Sequence, residues 1–391
     1  MNMDIQKKSL EIHEKLKGKL EIKSKIPLKS IEDLSLAYTP GVAEVCREIT
    51  KDKSLIYKYT FKENTVAVIS DGSAVLGLGN IGPEAALPVM EGKCVLFKEF
   101  AGINAFPICL SKQDIKTTIE TIKNISVVFG GINLEDFKAP ECFEIEEGLQ
   151  NLGIPVMHDD QHGTAVVVLA ALINSLKIRG LAKEKAKIVI NGAGAAGTAI
   201  TKILFKYGFK NIAVLDSKGI IYRGRSDLIK EKELIAELTN LDCIIDTNFK
   251  SCLKGDLKNA LKNADIFIGV SKGNLLTKEM IGSMNKNPII FALANPNPEI
   301  MPDLAKEAGA FIVGTGRSDF PNQINNVLAF PGIFRGALDI KAKRITDKMK
   351  IAAAEALASV IKPSVDKILP SPFDKEIVPR IADAVKEAYQ E

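Results

Sequence analysis

The sequence predicts an α/β protein built on a doubly wound parallel sheet, with a second α/β domain ahead of it and helices behind it. Three observations carry that expectation. From Lys187 a strand-like KIVIN runs into the glycine-rich turn GAGAAG (192–197) and a helix-like TAITKILFKYG, followed by a second strand, NIAVLD, that ends at Asp216. Strand-like runs then alternate with helical patterns through DIFIGV, NPIIFALA and AFIVGT, as parallel strands joined by crossover helices require. At 391 residues the chain has room for two domains or three. The expected architecture is a Rossmann-type sheet domain over 161–335, an N-terminal α/β domain over 1–160, and C-terminal helices over 336–391 that pack back on the first domain.

The elements follow in order. Residues 1–35 read as charged and helical, and Tyr38-Thr39-Pro40-Gly41 makes a turn. TVAVIS (65–70) is a β-branched strand, followed by a glycine-rich stretch and further strand candidates at VLF (95–97), AFPICL (105–110) and VVFGGINL (127–134). A helix from Cys142 to Asn151 leads to the strand IPVM and then to HDDQHGTA (158–165). The apolar helix after it is expected to end near Ser175, with the polar KIRGLAKEKA linking the domains. KAKRITDKMKIAAAEALASVI and the residues beyond it read as helices.

Bulk composition excludes some functions. The 52 basic and 48 acidic residues are spread along the chain without a Lys/Arg block, so no nucleic-acid partner is expected. The longest apolar run, 165–173, is far short of the roughly 20 residues that span a bilayer, and the charged start lacks the apolar core of a secretory signal. No membrane partner is expected either. Six cysteines (46, 94, 109, 142, 243 and 252) show no CxxC spacing and read as reduced packing residues of a cytoplasmic protein.

The pattern G-x-G-x-x-G occurs twice, as GLGNIG (77–82) and GAGAAG (192–197). Only the second follows a strand directly, opens a helix and precedes an acid, Asp216, near the offset of a carboxylate that holds an adenosine ribose. Gly192 allows the tight turn, Gly194 a close approach of pyrophosphate to backbone, and Gly197 helix–strand packing. Ala195 and Ala196 complete the turn at a helix start whose partial positive charge faces the phosphates. GLGNIG meets Pro83 at once and reads as a turn whose N–H groups touch substrate. Asp216 favours NAD, because a carboxylate repels a 2′-phosphate, but Ser217 and Lys218 beside it leave NADP open.

Ahead of that domain, Glu135 and Asp136 follow a strand, and Asp159 and Asp160 follow the next. A strand–helix–strand excursion returns two strand ends to one edge of a sheet, where carboxylates would repel one another without a cation. Oxygen-only ligands suit Mg²⁺ or Mn²⁺. Capping alone could place an acid at this helix start. His158 and His162 lack an HExxH context and read as structural or supporting residues.

Six motifs in this order, SLAYTPGVA from Ser35, DGSAVLGLGNIG from Asp71, EGKCVLFKEFAGI from Glu91, NLEDF from Asn133, HDDQHGTA from His158 and GAGAAG, closely resemble malic enzyme in its short bacterial form, over nearly the whole chain. The resemblance implies oxidative decarboxylation of malate to pyruvate and CO₂. It implies Tyr38 as general acid, Lys93 as general base and Asp159 as a hydrogen-bonding partner of Lys93. It places metal ligands at Glu135, Asp136 and Asp160, and substrate contacts next to the nicotinamide at Asn295 and Asn326. A homodimer is expected, with Tyr38 serving its own site or its neighbour's. One position departs: where larger eukaryotic relatives carry a carboxylate-clamping arginine, this chain has Ala74, and no arginine lies between Arg47 and Arg179. The rival readings are an oxaloacetate decarboxylase or another metal- and nicotinamide-dependent hydroxy-acid enzyme, a nucleotide-sensing module, and a metal-free amino-acid dehydrogenase.

Overall fold

The structure, a computed structural model, describes residues 3–75, 77–240 and 251–390. Four strands, β1 (Thr65–Ser70), β2 (Asn104–Cys109), β3 (Gly131–Leu134) and β4 (Val156–His158), form a parallel sheet in the order β2-β1-β3-β4. Every residue of β1 is buried, as in a sheet covered on both faces. Ile69 lies opposite Leu134, and Leu134 opposite His158. The strands therefore finish level, and the residues just past them (Asp71, Glu135 and Asp159) share one edge.

The second sheet holds β5 (Lys187–Asn191), β6 (Asn211–Asp216), β7 (Gly219–Ile220), β8 (Ile266–Gly269), β9 (Ile289–Ala292) and β10 (Ile312–Thr315). Its order is β10-β9-β8-β5-β6-β7, parallel except for β7, which turns back antiparallel on β6. The winding reverses between β5 and β8, the position where ligands settle in such sheets.

A helix from Asp159 to Arg179 joins the two units, packed against the helices Ala195–Tyr207 and Asp347–Ser359. Residues 166–172 of this helix are fully buried, which explains an apolar run that is neither strand nor span. By length and composition the helix could cross a membrane, but 72% of its apolar window is buried inside the protein. It ends at Arg179, one turn past the expected Ser175, with Gly180 taking the left-handed cap at φ 68°. Helices Phe330–Asp339 and Ile377–Ala388 pack together, and Phe330 and Phe334 set their rings edge-on to Phe97, at 4.8 and 5.3 Å.

Some elements differ from the sequence reading. VLF (95–97) is not a strand but lies within a helix from Gly82 to Ala101. That helix buries Ala86, Met90, Lys93, Cys94 and Phe97, a 3.6-residue stripe that outweighs the β-propensity of three residues. VVFGGINL splits into a 3₁₀ turn at Ser126–Val128 and β3. Within the first 35 residues, Met3–Leu16 is helical, and a helix from Ile31 to Ala37 opens on a capping box between Ser30 and Asp33. Cys46, Cys94, Cys109 and Cys142 are free, whereas Cys252 is disulfide-bonded rather than reduced; Cys243 lies outside the described residues.

Candidate active site

Lys93 occupies a buried position on the helix Gly82–Ala101 and is 8% exposed. An isolated ammonium there would be strongly destabilising, so the chain supplies partners. Its Nζ lies 2.7 Å from Asp159 Oδ2 and 2.8 Å from Glu135 Oε1, with the Phe330 ring centred 4.4 Å away. Burial works against the ammonium, but the charges of Asp159 and Glu135 outweigh it and hold the lysine above its ordinary range. Burial likewise pushes Asp159 and Glu135 up, each to about 7, against the pull of Lys93. The group as a whole holds protons tightly.

Glu135, Asp136 and Asp160 each offer a carboxylate oxygen, all within 4.8 Å of one another. Strand register brings them together, as the excursion from β3 to β4 requires. Asp136 takes a left-handed conformation (φ 56°), its N–H donates to Asp160 Oδ2 at 2.8 Å, and Asn133 Nδ2 donates to Glu135 Oε2 at 2.8 Å. Four carboxylates thus gather around one ammonium. A hard divalent cation fits that surplus of negative charge and that all-oxygen donor set. The buried Asp159 Oδ1, which has no hydrogen-bond partner, adds to the surplus.

Glu146, on the helix Glu141–Leu149, anchors the turn that carries the two aspartates. Its Oε1 accepts the His158 backbone N–H at 2.9 Å, and its Oε2 accepts from Gln161 Nε2 at 3.2 Å and lies 3.0 Å from His162 Nε2. His162 Nδ1 in turn lies 3.1 Å from Lys350 Nζ. Both histidines fall outside the carboxylate trio. Burial pushes His158 down to about 4, which leaves its enclosed ring neutral at pH 7. Gly163 packs so closely that a Cβ there would lie 1.8 Å from Asp159 Oδ1 and 3.1 Å from Asn326 Cβ, which sets Asn326 beside the lysine–aspartate pair.

In the second sheet the three glycines of GAGAAG take distinct positions. Gly192 (φ +124°) closes on the Val270 carbonyl and Gly197 on the Gly192 carbonyl, while above Gly194 the space is open for 4 Å, a cradle that any side chain would fill. Ala195 and Ala196 begin the helix Ala195–Tyr207. Asp216 ends β6 beside this loop, where the Gly192 N–H donates to Leu215 O at 2.9 Å. A Cβ on Gly77 of GLGNIG would lie 3.1 Å from Pro296 Cδ and 3.5 Å from Asn295 O, so the first glycine turn packs against the loop that carries Asn295. Ala74 is tied to the carboxylate-bearing loop after β3 through its N–H, which donates to Asp136 O at 2.9 Å. Tyr38 stands apart: it is 67% exposed at the end of the helix Ile31–Ala37, and no hydrogen bond or ring contact joins it to the Lys93 group.

Sequence reasoning did not single out Glu146, Phe330, Arg225 or Lys232. Glu146 left a signal, an acid on the buried stripe Cys142-Ile145-Glu146-Leu149. Phe330 meets Lys93 from a distant segment, and Arg225 and Lys232 reach Asp216 only through the β6–β7 return, which no local pattern marked.

A dinucleotide-type sheet joined through one core helix to a buried lysine–carboxylate group defines a two-domain, dinucleotide-linked enzyme. Residues 17–117 match the family of the malic enzyme N-terminal domain, and residues 161–389 match that of the malic enzyme NAD-binding domain. The chain is 56% identical to the bifunctional malic/malolactic enzyme of Bacillus subtilis, over 100% of this chain and 94% of that one. It is 48% identical to the NADP-dependent malic enzyme of Halomonas elongata, over 97% and 92%. The crystal structure of the NAD-dependent malic enzyme from Thermotoga maritima superposes with a TM-score of 0.92 at 51% identity, covering 96% of this chain and 98% of that one. The chain belongs to the malic enzyme family.

Proposed function

We propose that the chain converts (S)-malate to pyruvate and CO₂ with reduction of NAD or NADP, and that Glu135, Asp136 and Asp160 hold Mg²⁺ or Mn²⁺. The observation that carries the reading is the buried Lys93 between Glu135, a member of the oxygen-donor trio, and Asp159, the sequence neighbour of another member, Asp160. A bound dinucleotide would accept hydride from C2. A bound divalent cation would polarise the C2 oxygen, draw off electron density as the C3–C4 bond breaks, and offset the carboxylates that keep Lys93 protonated. Lys93 takes the proton of the C2 hydroxyl as hydride leaves, and returns one to that oxygen when CO₂ has departed. Asp159 holds the lysine in position throughout. Tyr38 gives the proton to C3 as Lys93 takes the enol proton back from the C2 oxygen, which completes pyruvate. Asn295 and Asn326 orient the substrate toward the nicotinamide, and the 72–79 turn, with Ala74 in place of an arginine, offers N–H groups to a carboxylate.

The test is absorbance of reduced dinucleotide with malate and Mn²⁺. Oxaloacetate consumption without reduced dinucleotide would overturn the reading in favour of a decarboxylase alone. The bifunctional malic/malolactic character of the Bacillus relative's name supports a second reading, lactate as an additional product, which chromatography of the same reaction separates from pyruvate. We also propose a homodimer in the cytoplasm. Exposed apolar residues concentrate near the N-terminus (Ile22, Leu28, Ile31, Leu36 and Tyr38), and burial of that segment against a second copy would bring Tyr38 to a Lys93 group. Light scattering tests the assembly.

A further inference from the structure

Asp216 is not the open carboxylate that selection of NAD requires. Its Oδ1 accepts the Lys218 backbone N–H at 2.9 Å, and its Oδ2 accepts from Arg225 at 2.5 Å and Lys232 at 2.7 Å. A carboxylate offers about four lone-pair sites, so three donors leave too little to accept both hydroxyls of a ribose. Arg225 is held in place as well. It donates to Asp227 at 2.7 Å and to the carbonyls of Gly219 and Ile220 at 3.3 and 3.2 Å, and its side chain is 9% exposed. Lys218 pairs with Asp227 at 2.8 Å. Three cations therefore face two carboxylates at the end of β6, next to the GAGAAG loop.

We propose that Arg225 and Lys232 set the choice of cofactor: with Asp216 neutralised between them, the pocket beside the adenosine ribose admits a 2′-phosphate, and NADP binds at least as tightly as NAD. The proposal rests on the dinucleotide site of the proposed function. It reverses the bias toward NAD that Asp216 gives when the sequence is read without its partners. Arg225, whose N–H groups are engaged by two carbonyls and two carboxylates, contributes a fixed positive charge beside the 2′-phosphate, while the more exposed Lys232 ammonium, with three N–H groups and a bond to Asp216, has donors to offer its oxygens.

The experiment is calorimetric titration of the full chain with NAD⁺ and with NADP⁺, without malate or metal. The expected result is a Kd for NADP⁺ equal to or below that for NAD⁺. Arg225→Gln should weaken NADP⁺ roughly tenfold relative to NAD⁺, because it removes a fixed positive charge and leaves Asp216 less neutralised. Because Arg225 also braces the β6–β7 turn, Lys232→Gln, which removes only the ion pair to Asp216, should move the ratio the same way. Binding of NADP⁺ threefold or more weaker than NAD⁺ by the native chain, or an unchanged ratio in both variants, overturns the proposal and leaves the dinucleotide site standing. Binding of neither dinucleotide overturns the site itself.

Discussion

Glu146→Gln keeps the shape of the side chain and removes the charge that anchors the turn carrying Asp159 and Asp160. Burial favours the neutral acid at this site, but its partners, the hydrogen-bonded His162 first and the Lys350 ammonium behind it, hold Glu146 down to about 2 from its ordinary 4.5. At 1.36 kcal/mol per pH unit this corresponds to about 3 kcal/mol of stability. The folded value lies below the unfolded one, so the contribution is complete above about pH 5.5 and is lost as pH falls from 4.5 toward 2. Urea unfolding followed by circular dichroism should show Glu146→Gln less stable than the native chain by about 3 kcal/mol at pH 7, with the gap narrowing by about 2 kcal/mol at pH 3. Malate turnover should fall as well, because the anchored turn positions the partner of Lys93. A gap below about 1 kcal/mol at pH 7, or one of constant size down to pH 3, would refute the electrostatic account of Glu146.

Lys93→Ala should lower malate oxidation by roughly three orders of magnitude, read as reduced dinucleotide formed; near-normal turnover would remove Lys93 from the role of base. Tyr38→Phe should impair protonation of enolpyruvate, followed by deuterium uptake at C3, more than hydride transfer. If Tyr38 reaches the second subunit, a mixture of the inactive Tyr38→Phe and Lys93→Ala chains will regain part of the native rate, and no recovery would assign Tyr38 to its own site. Chelation should abolish turnover until Mn²⁺ is returned, and Asp160→Asn should lose the rise in Tm that Mn²⁺ gives the native chain; an equal rise in the variant would exclude Asp160 as a ligand. Gly163→Ala places a Cβ 1.8 Å from Asp159 Oδ1 and should displace that carboxylate from Lys93, with at least a roughly hundredfold loss of rate; unchanged kinetics would show that the turn can yield.

The second sheet was legible because each of its parallel strands is a short apolar run bounded by glycine or a polar turn, and because GAGAAG marks where the first strand ends. The carboxylate trio was legible for a topological reason, since one excursion between parallel strands must return to the same edge. Lys93 was placed by a motif, and the sequence reading put the adjacent VLF in a strand. The stripe from Ala86 to Phe97 has helical period but contains a lysine, which a search for apolar residues passes over. The surroundings of Asp216 were hidden for another reason. The antiparallel return of β7 brings Arg225 back to the end of β6, and a two-residue strand leaves almost no trace in sequence.

The ring beside Lys93 bears on how the protein is made. Glu135 and Asp159 leave the ribosome soon after the lysine, whereas Phe330 follows only when both sheets have been synthesised. While both sheets are being made, the nascent chain carries the ammonium and its carboxylates without the aromatic ring that packs over them. The lysine gains this wall only from a segment that follows both sheets in sequence, so the surroundings of the charged group are completed after the sheets that position it.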